Sequence, residues 1–241
     1  MSYQNVFERY ELKYFLTQSQ KKALLKTMEN RMKLDKFGRT TIRNIYYDTD
    51  SFRLIRDSSE HPVYKEKLRI RSYGRANDSD MVFVEIKKKF EDVVYKRRIA
   101  IPKTAASSWI DDGKEIPFKS QITSEIDYFC KFYEGLEAKV FLSYEREAYS
   151  DGKDPEFRLT LDENILARTE DLDLGSNIWG TPLLPMGITL MEVKIHGAMP
   201  LWMAEFLSEN NIRKVTYSKY GTYYKEYLMK GHRTERSVLY A

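Results

Sequence analysis

The 241-residue chain has one cysteine, Cys130, and three histidines, His61, His196 and His232. One thiol cannot close an internal disulfide. It also cannot build a structural zinc site, which needs several thiolates. This usage fits a reducing compartment. No two histidines stand at metal-binding spacing. Glycine and proline are scarce, at 11 and 7 residues, which excludes collagen-like and low-complexity chains. The uncharged stretch Asn177 to Met191 is broken by Gly180, Pro182, Pro185 and Gly187, whereas a membrane helix needs ~20 consecutive apolar residues. The start, MSYQNVFERYELKY, has no apolar signal core. A soluble, cytoplasmic protein is expected, with recruitment to a membrane through a partner left open. Neither a G-x-x-x-x-G-K-[ST] loop nor a G-x-G-x-x-G fingerprint occurs, and nothing marks a Ser–His–Asp set.

What the chain does have is charge at regular spacing. It carries 40 Lys+Arg against 36 Asp+Glu, a net +4, with 42% apolar residues. Its length fits one large domain or two small ones. Phe7 to Leu16 alternates, with Arg9, Glu11 and Lys13 on one face and Tyr10, Leu12 and Tyr14 on the other. Thr17 and Gln20 stand at capping-box spacing. Leu24, Leu25, Met28 and Met32 then predict a helix that ends near Gly38. Thr41 to Asp48 reads as a strand. Three more read as an antiparallel meander: Lys65 to Tyr73, Val82 to Lys89, and Val93 to Ile101, with turns at Asn77–Ser79 and Glu91–Asp92. Residues 104–135 read as mostly helical, and Ile122, Ile126, Phe129 and Tyr133 form an apolar stripe beside an inert, buried Cys130. Strands resume at Ala138 to Tyr149, Phe157 to Asp162 and, after a loop at 175–188, Thr189 to His196. Two helices follow, near 199–210 and 218–229. No repeat or linker interrupts the run, so residues 1–230 are expected to form a single domain followed by a polar tail, 231–241.

Strand after strand puts cations on one face and aliphatics on the other. The cations are Lys13, Lys65, Lys67, Arg69, Arg71, Lys87, Lys89, Lys96, Arg98, Arg146, Arg158 and Lys194. They allow three arrangements: a cationic tunnel inside a closed barrel, an open basic platform, or an ordinary solvated face. Neighbouring cations repel, and a polyanion relieves that cost; phosphate chains suit it best, because Arg offers forked donors and Lys a point charge. Glu11, Glu85 and Glu192 share these faces in an E-x-K spacing used three times. Acid beside base on one face can hold a divalent cation and the phosphate it bridges, or can form cross-strand salt bridges. His196 faces the charged residues as a phosphate ligand or a structural hydrogen-bonding group. Tyr10, Tyr14 and Tyr95 fall on the apolar faces, whereas nucleic-acid platforms put aromatics among the cations, so nucleic acid is not an expected partner.

The segments ELKYF, KLRIRSYG, VFVEIKKK, SYEREAY, FRLTLD, MEVKI and VTYSKYGTYY, in this order, resemble the catalytic domain of the vacuolar transporter chaperone (VTC) family. That domain is an ATP-dependent polyphosphate polymerase of the triphosphate tunnel metalloenzyme superfamily, related to the CYTH-type triphosphatases. The resemblance covers about residues 3 to 230. It implies an α+β fold: an antiparallel β-barrel tunnel with helices packed outside. It implies phosphate-binding roles for Lys13, Arg69, Arg71, Lys87, Lys96, Arg146, Arg158, Lys194 and Lys219, and more loosely for Arg56. It implies that Glu192 binds the metal, Mn²⁺ or Mg²⁺, with Glu11, Glu85, Arg98 and His196 as auxiliaries. ATP and polyphosphate are the implied partners, and a membrane-protein partner stays open. The fused regulatory and transmembrane domains of eukaryotic members are not seen, so a stand-alone version is expected. CYTH members begin with E-x-E-x-K, but the matching positions here are Arg9, Glu11 and Lys13. The lost acid argues against a two-carboxylate metal site on that strand and favours the polymerase branch. A triphosphatase and a non-catalytic polyanion-binding module are the competing readings.

Overall fold

The computed structural model describes residues 9–229, except 61, 62, 92, 117, 153 and 155. His61, His232, Asp92 of the expected turn and the tail 231–241 lie outside the described residues. In chain order the elements are β1 (Arg9–Leu16), α1 (Gln18–Met28), β2 (Met32–Leu34), β3 (Thr40–Asp48), α2 (Arg53–Ser59) and β4 (Tyr64–Tyr73). Then come β5 (Met81–Phe90), β6 (Val93–Pro102), α3 (Lys103–Ile110), α4 (Gln121–Phe132), β7 (Glu137–Asp151) and β8 (Arg158–Arg168). The last are β9 (Thr181–Pro182), β10 (Thr189–His196), α5 (Leu201–Glu209), β11 (Lys214–Val215) and α6 (Lys219–Tyr223), which runs into a π-helical turn, Tyr224–Leu228. The class is α+β with antiparallel strand pairing, as expected.

The chain divides into two compact units, and each is assembled from separate stretches. Unit 1 holds the residues up to Thr40, Tyr144–Asn164 and Leu184–Tyr217. Unit 2 holds Thr41–Ser143, Ile165–Leu183 and the residues from Ser218 onward. Strands β7 and β8 contribute residues to both.

In unit 1 the strand order is β11-β1-β10-β8-β7, with β2 pairing β7. The aliphatic faces of β1, β8 and β10 form its core through Tyr14, Leu159, Leu161, Met191 and Val193, all buried. Helix α1 adds Leu24 and Met28, and α5 adds Met203 and Phe206. Fully burying a side chain of this size contributes about 1.5–3 kcal/mol. The Thr17–Gln20 capping box is present: the Gln20 N–H donates to Thr17 Oγ1 at 3.3 Å and the Thr17 N–H to Gln20 Oε1 at 2.9 Å. The helix does not reach Gly38. It ends at Met28, because Glu29 leaves helical geometry and Asn30 takes a left-handed φ of 63°. Met32, read as one more helical contact, is buried from a short strand instead.

In unit 2 the order is β7-β3-β4-β5-β6, with β9 pairing β8. Leu68, Ile70, Val82, Val84, Ile86 and Ile101 supply the sheet side of its core, and Trp109 of α3 with Ile126 and Phe129 of α4 cover them. The stripe on α4 is therefore core packing. Cys130 is half-buried beside it, and burial pushes its thiol up to about 12, with Asp127 adding to the rise, so it is inert. Helix α2 was not legible in the sequence. Phe52 at its N-cap is left-handed, φ 54°, and makes no side-chain cap. Asp48, at the end of β3, does the capping: its carboxylate accepts from the backbone N–H of Leu54 at 2.8 Å and Ile55 at 3.0 Å.

Candidate functional site

Strand register decides which side chains share a face. In unit 2, Lys67 of β4 stands opposite Lys87 of β5, and Lys87 opposite Lys96 of β6. The next row is Arg69, Glu85 and Arg98. Lys65 pairs with Lys89 at one end and Arg71 with Phe83 at the other. On β3, Tyr46 stands opposite Arg69 and Asn44 opposite Arg71. The alternation read from sequence therefore becomes one continuous cationic face, and Glu85 is the only carboxylate in these rows.

Glu85 is 1% exposed and gathers its neighbours. Its Oε2 lies 2.7 Å from Arg69 Nη2 and 4.0 Å from Arg71 Nε, and its Oε1 lies 2.6 Å from Lys96 Nζ. Burial pushes its carboxyl up, but Arg69, Arg71 and Lys96 together more than reverse this and hold it at about 2. Lys96 responds in the opposite sense. Burial lowers its ammonium, Glu85 offsets this only in part, and Arg69 and Arg71 add repulsion, leaving it at about 8. Asn44 accepts from Arg71 Nε at 2.8 Å through its Oδ1. The Tyr46 hydroxyl accepts from Arg69 Nη1 at 2.9 Å. The Tyr46 ring stacks on Tyr220 with centroids 5.0 Å apart, and the Tyr220 hydroxyl donates to Asp48 at 2.9 Å. Burial would raise the Tyr46 phenol, but Arg69, Arg71 and Lys219 pull it below its ordinary value. Lys219, the first residue of α6, is thereby placed near this cluster. Arg56 is exposed on α2.

Unit 1 carries a different cluster. Register aligns Glu11, Lys194 and Arg158 in one row across β1, β10 and β8, and Lys13, Glu192 and Thr160 in the next. Arg146 of β7 grips Asp162 with two bonds of 2.6 Å, and its Nη2 also donates to Glu192 Oε2 at 3.0 Å. Lys13 Nζ lies 3.7 Å from Glu192, 3.5 Å from Glu11, and donates to the Tyr217 carbonyl at 2.8 Å. Arg158 and His196 are exposed and Lys194 is half-buried. Here acids and bases are interleaved, so the expected cross-strand salt bridge and the expected acid–base face are the same object.

Asn44, Tyr46, Asp162 and Tyr220 were not singled out as site residues from the sequence. The alternation in TIRNIYYD puts Asn44 and Tyr46 on one face, and FRLTLD puts Asp162 with Arg158, but only the folded chain shows which cation each of the three meets.

Among the described residues no group of three His, Cys, Asp or Glu side chains is arranged to hold a metal. The chemistry of Glu192 still suits a divalent ion. It is a hard carboxylate donor, 7% exposed, with Glu11 in the adjoining row. Mg²⁺-type ions are commonly held by one or two carboxylates plus substrate phosphates.

The family profile described as VTC domain matches residues 8–227. The chain belongs to the VTC domain family. No curated protein matches the chain. Two solved structures share the fold of this VTC domain. A candidate adenylate cyclase from Bacillus halodurans is 17% identical, with 88% of this chain and 95% of that one covered, at a TM-score of 0.53. A candidate adenylyl cyclase from Hippeastrum, described as having a dominant triphosphatase activity, is 16% identical, with 89% and 94% covered, at a TM-score of 0.56. The VTC domain thus shares its fold with these two structures.

Proposed function

We propose that this VTC domain is an ATP-dependent polyphosphate polymerase. The observation that carries the reading is the state of Glu85. It is the one carboxylate in the cationic rows of unit 2, and it is held ionised at about 2 by three cations. A group so acidic is a poor general base at neutral pH. The cluster therefore suits an acceptor that needs no deprotonation. The terminal oxygen of a polyphosphate chain is already anionic. In the proposed step that oxygen forms a bond to the γ-phosphorus of ATP, and the bond from that phosphorus to the β,γ-bridging oxygen breaks, leaving ADP. Arg69 and Arg71 supply fixed positive charge for a transferring phosphoryl group, and Asn44 and Tyr46 hold their guanidinium groups in place. Lys87, Lys96, Arg98 and Lys219 extend the positive field. Lys13, Arg146, Arg158 and Lys194 are assigned to phosphate binding in unit 1. Glu192, with Glu11 as auxiliary, is the proposed holder of Mn²⁺ or Mg²⁺, which when bound neutralises charge on bridged phosphate oxygens.

One observation favours a second reading. The Glu11 side chain is 30% exposed, and a carboxylate so placed could orient water in a triphosphatase. The assay that separates the two incubates the full chain with ATP and Mn²⁺ and follows products on a polyphosphate-staining gel beside a free-phosphate assay. A long ladder with ADP and little free phosphate is the expected result. Free phosphate without a ladder moves the protein to the hydrolase reading. Neither product leaves a polyanion-binding module and overturns the enzymatic assignment.

A further inference from the structure

The cationic rows of unit 2 end in aromatic rings. Beyond the row of Arg69, Glu85 and Arg98 comes that of Arg71 and Phe83, and Tyr73 stands two residues past Arg71 on the same face of β4. The Tyr73 and Phe83 rings meet edge to face, with centroids 5.5 Å apart and planes at 87°. Tyr73 is 50% exposed and Phe83 is half-buried, so ring surface stays open to a third planar group. The end of β4 that carries Tyr73 is pinned. The Gly74 N–H donates to the Thr41 carbonyl at 2.7 Å, and the Ser72 hydroxyl to the Gly74 carbonyl at 2.8 Å.

Positive charge is left over beside these rings. Register sets Arg98 opposite Glu85, but the Glu85 oxygens are taken by Arg69, Arg71 and Lys96. Arg98 is exposed and its guanidinium lies over the Phe83 ring instead, 4.9 Å from the centroid. Among the described residues it joins no ion pair. A ring face satisfies little of an exposed guanidinium's charge, and the forked donors remain available to phosphate. Successive rows on one face are about 7 Å apart, two residues of strand rise. Read from this edge inward they run rings, then arginines, then Lys67, Lys87 and Lys96. A nucleoside triphosphate is graded in the same sense, with a planar base at one end and phosphates at the other. A bare phosphate chain would leave the rings unused. A single-stranded nucleic acid would call for a succession of stacking rings, where this face ends in one pair.

We propose that Tyr73 and Phe83 receive the base of a nucleoside triphosphate whose phosphates run over Arg98 and Arg71 toward Lys87 and Lys96. The proposal rests on the reading of these rows as a phosphate site, so its test separates base from phosphate. The full chain is titrated by calorimetry, in Mg²⁺, with the β,γ-imido analogue of ATP and with imidotriphosphate, which lacks its nucleoside. The nucleotide should bind more tightly. Tyr73→Leu should weaken it about tenfold or more, the scale of one lost base stack, and leave imidotriphosphate binding unchanged. Arg98→Ala should weaken both ligands. Tyr73→Trp should keep the preference for the nucleotide, and the new indole's fluorescence should be quenched by the nucleotide but not by imidotriphosphate. Tyr73 is half exposed at a strand end, so circular dichroism of the leucine variant should be unchanged; if it loses structure, the quenching decides. Equal affinity for the two ligands, equal loss of both in Tyr73→Leu, or equal quenching by both overturns the base site and leaves the phosphate site standing. Binding of neither ligand overturns the phosphate reading and this proposal with it.

Discussion

Glu85 joins Arg69, Arg71 and Lys96 in one ion-pair set, and its removal should be felt first in stability. Glu85→Gln leaves three cations facing one another. The expected loss is about 3 kcal/mol, the low end for a broken buried pair, because Lys96 and Arg69 are partly solvated. Polyphosphate should restore most of it, since phosphate replaces the missing charge; a melt that polyphosphate does not rescue would remove this cluster from the ligand site. Glu85's depressed pKa also fixes a pH dependence: its contribution is present above the ordinary 4.5 and is lost as pH falls toward about 2. Lys96 gives the alkaline counterpart. Its ammonium loses its proton near 8 in the free protein, so affinity for tripolyphosphate should fall as pH rises through that value. Calorimetric titration should show Lys96→Arg keeping its affinity over the same range; an equal fall in the variant would exonerate Lys96. Glu192→Ala should abolish turnover while leaving much polyphosphate binding, because Arg146 keeps both bonds to Asp162. Unchanged turnover would refute the metal assignment. The cations themselves were legible in the sequence, since alternation places each on a known face. Glu85's three partners were not, because they come from two strands whose register no local pattern encodes.

Element by element, the long strands were readable and the short ones were not. β4, β5 and β10 set aliphatic residues at alternate positions (Leu68 and Ile70; Val82, Val84 and Ile86; Met191, Val193 and Ile195), and period two is readable in strands of eight or more residues. β2, β9 and β11 have only two or three residues and offer no period. The end of α1 was overrun because Met32 continues the helical spacing while Asn30 breaks the backbone. α2 escaped notice because its cap is distant in sequence. Asp48 therefore carries more than a turn. It is fully buried, takes the Leu54 and Ile55 N–H groups, and receives the Tyr220 hydroxyl. Asp48→Ala should cost about 3 kcal/mol, a lost cap plus an unsatisfied buried phenol. Denaturant unfolding measures this, and a loss under about 0.5 kcal/mol would mean that α2 finds another cap. Tyr220 stacks on Tyr46, and Tyr46 holds Arg69, so the same variant should also loosen phosphate binding.

At the scale of the whole chain the net charge of +4 conceals strong local asymmetry. Cations concentrate in the rows of unit 2, where Glu85 is the one carboxylate, so polyphosphate should raise the melting temperature far more than the net charge implies. At a ligand concentration of ~100 times Kd the gain is about 2.7 kcal/mol. Added salt should shrink that gain steeply, since screening acts on the exposed part of the rows. A salt-independent shift would point to binding without charge. Among the described residues no helix is long and apolar enough to cross a membrane.

The threading of unit 1 has a consequence during synthesis. β1 pairs along its whole length with β10, and the two are encoded at opposite ends of unit 1. Ribosomes add about 5–20 residues per second, so β1 waits roughly 10–40 s for its partner. Through that interval its apolar face, Tyr14 and Leu16, lacks the Met191 and Val193 side chains of β10 that complete its core. A newborn chain of this protein should therefore be a client for chaperones that shield exposed strands, and a message truncated before β10 should yield aggregate rather than a smaller folded product.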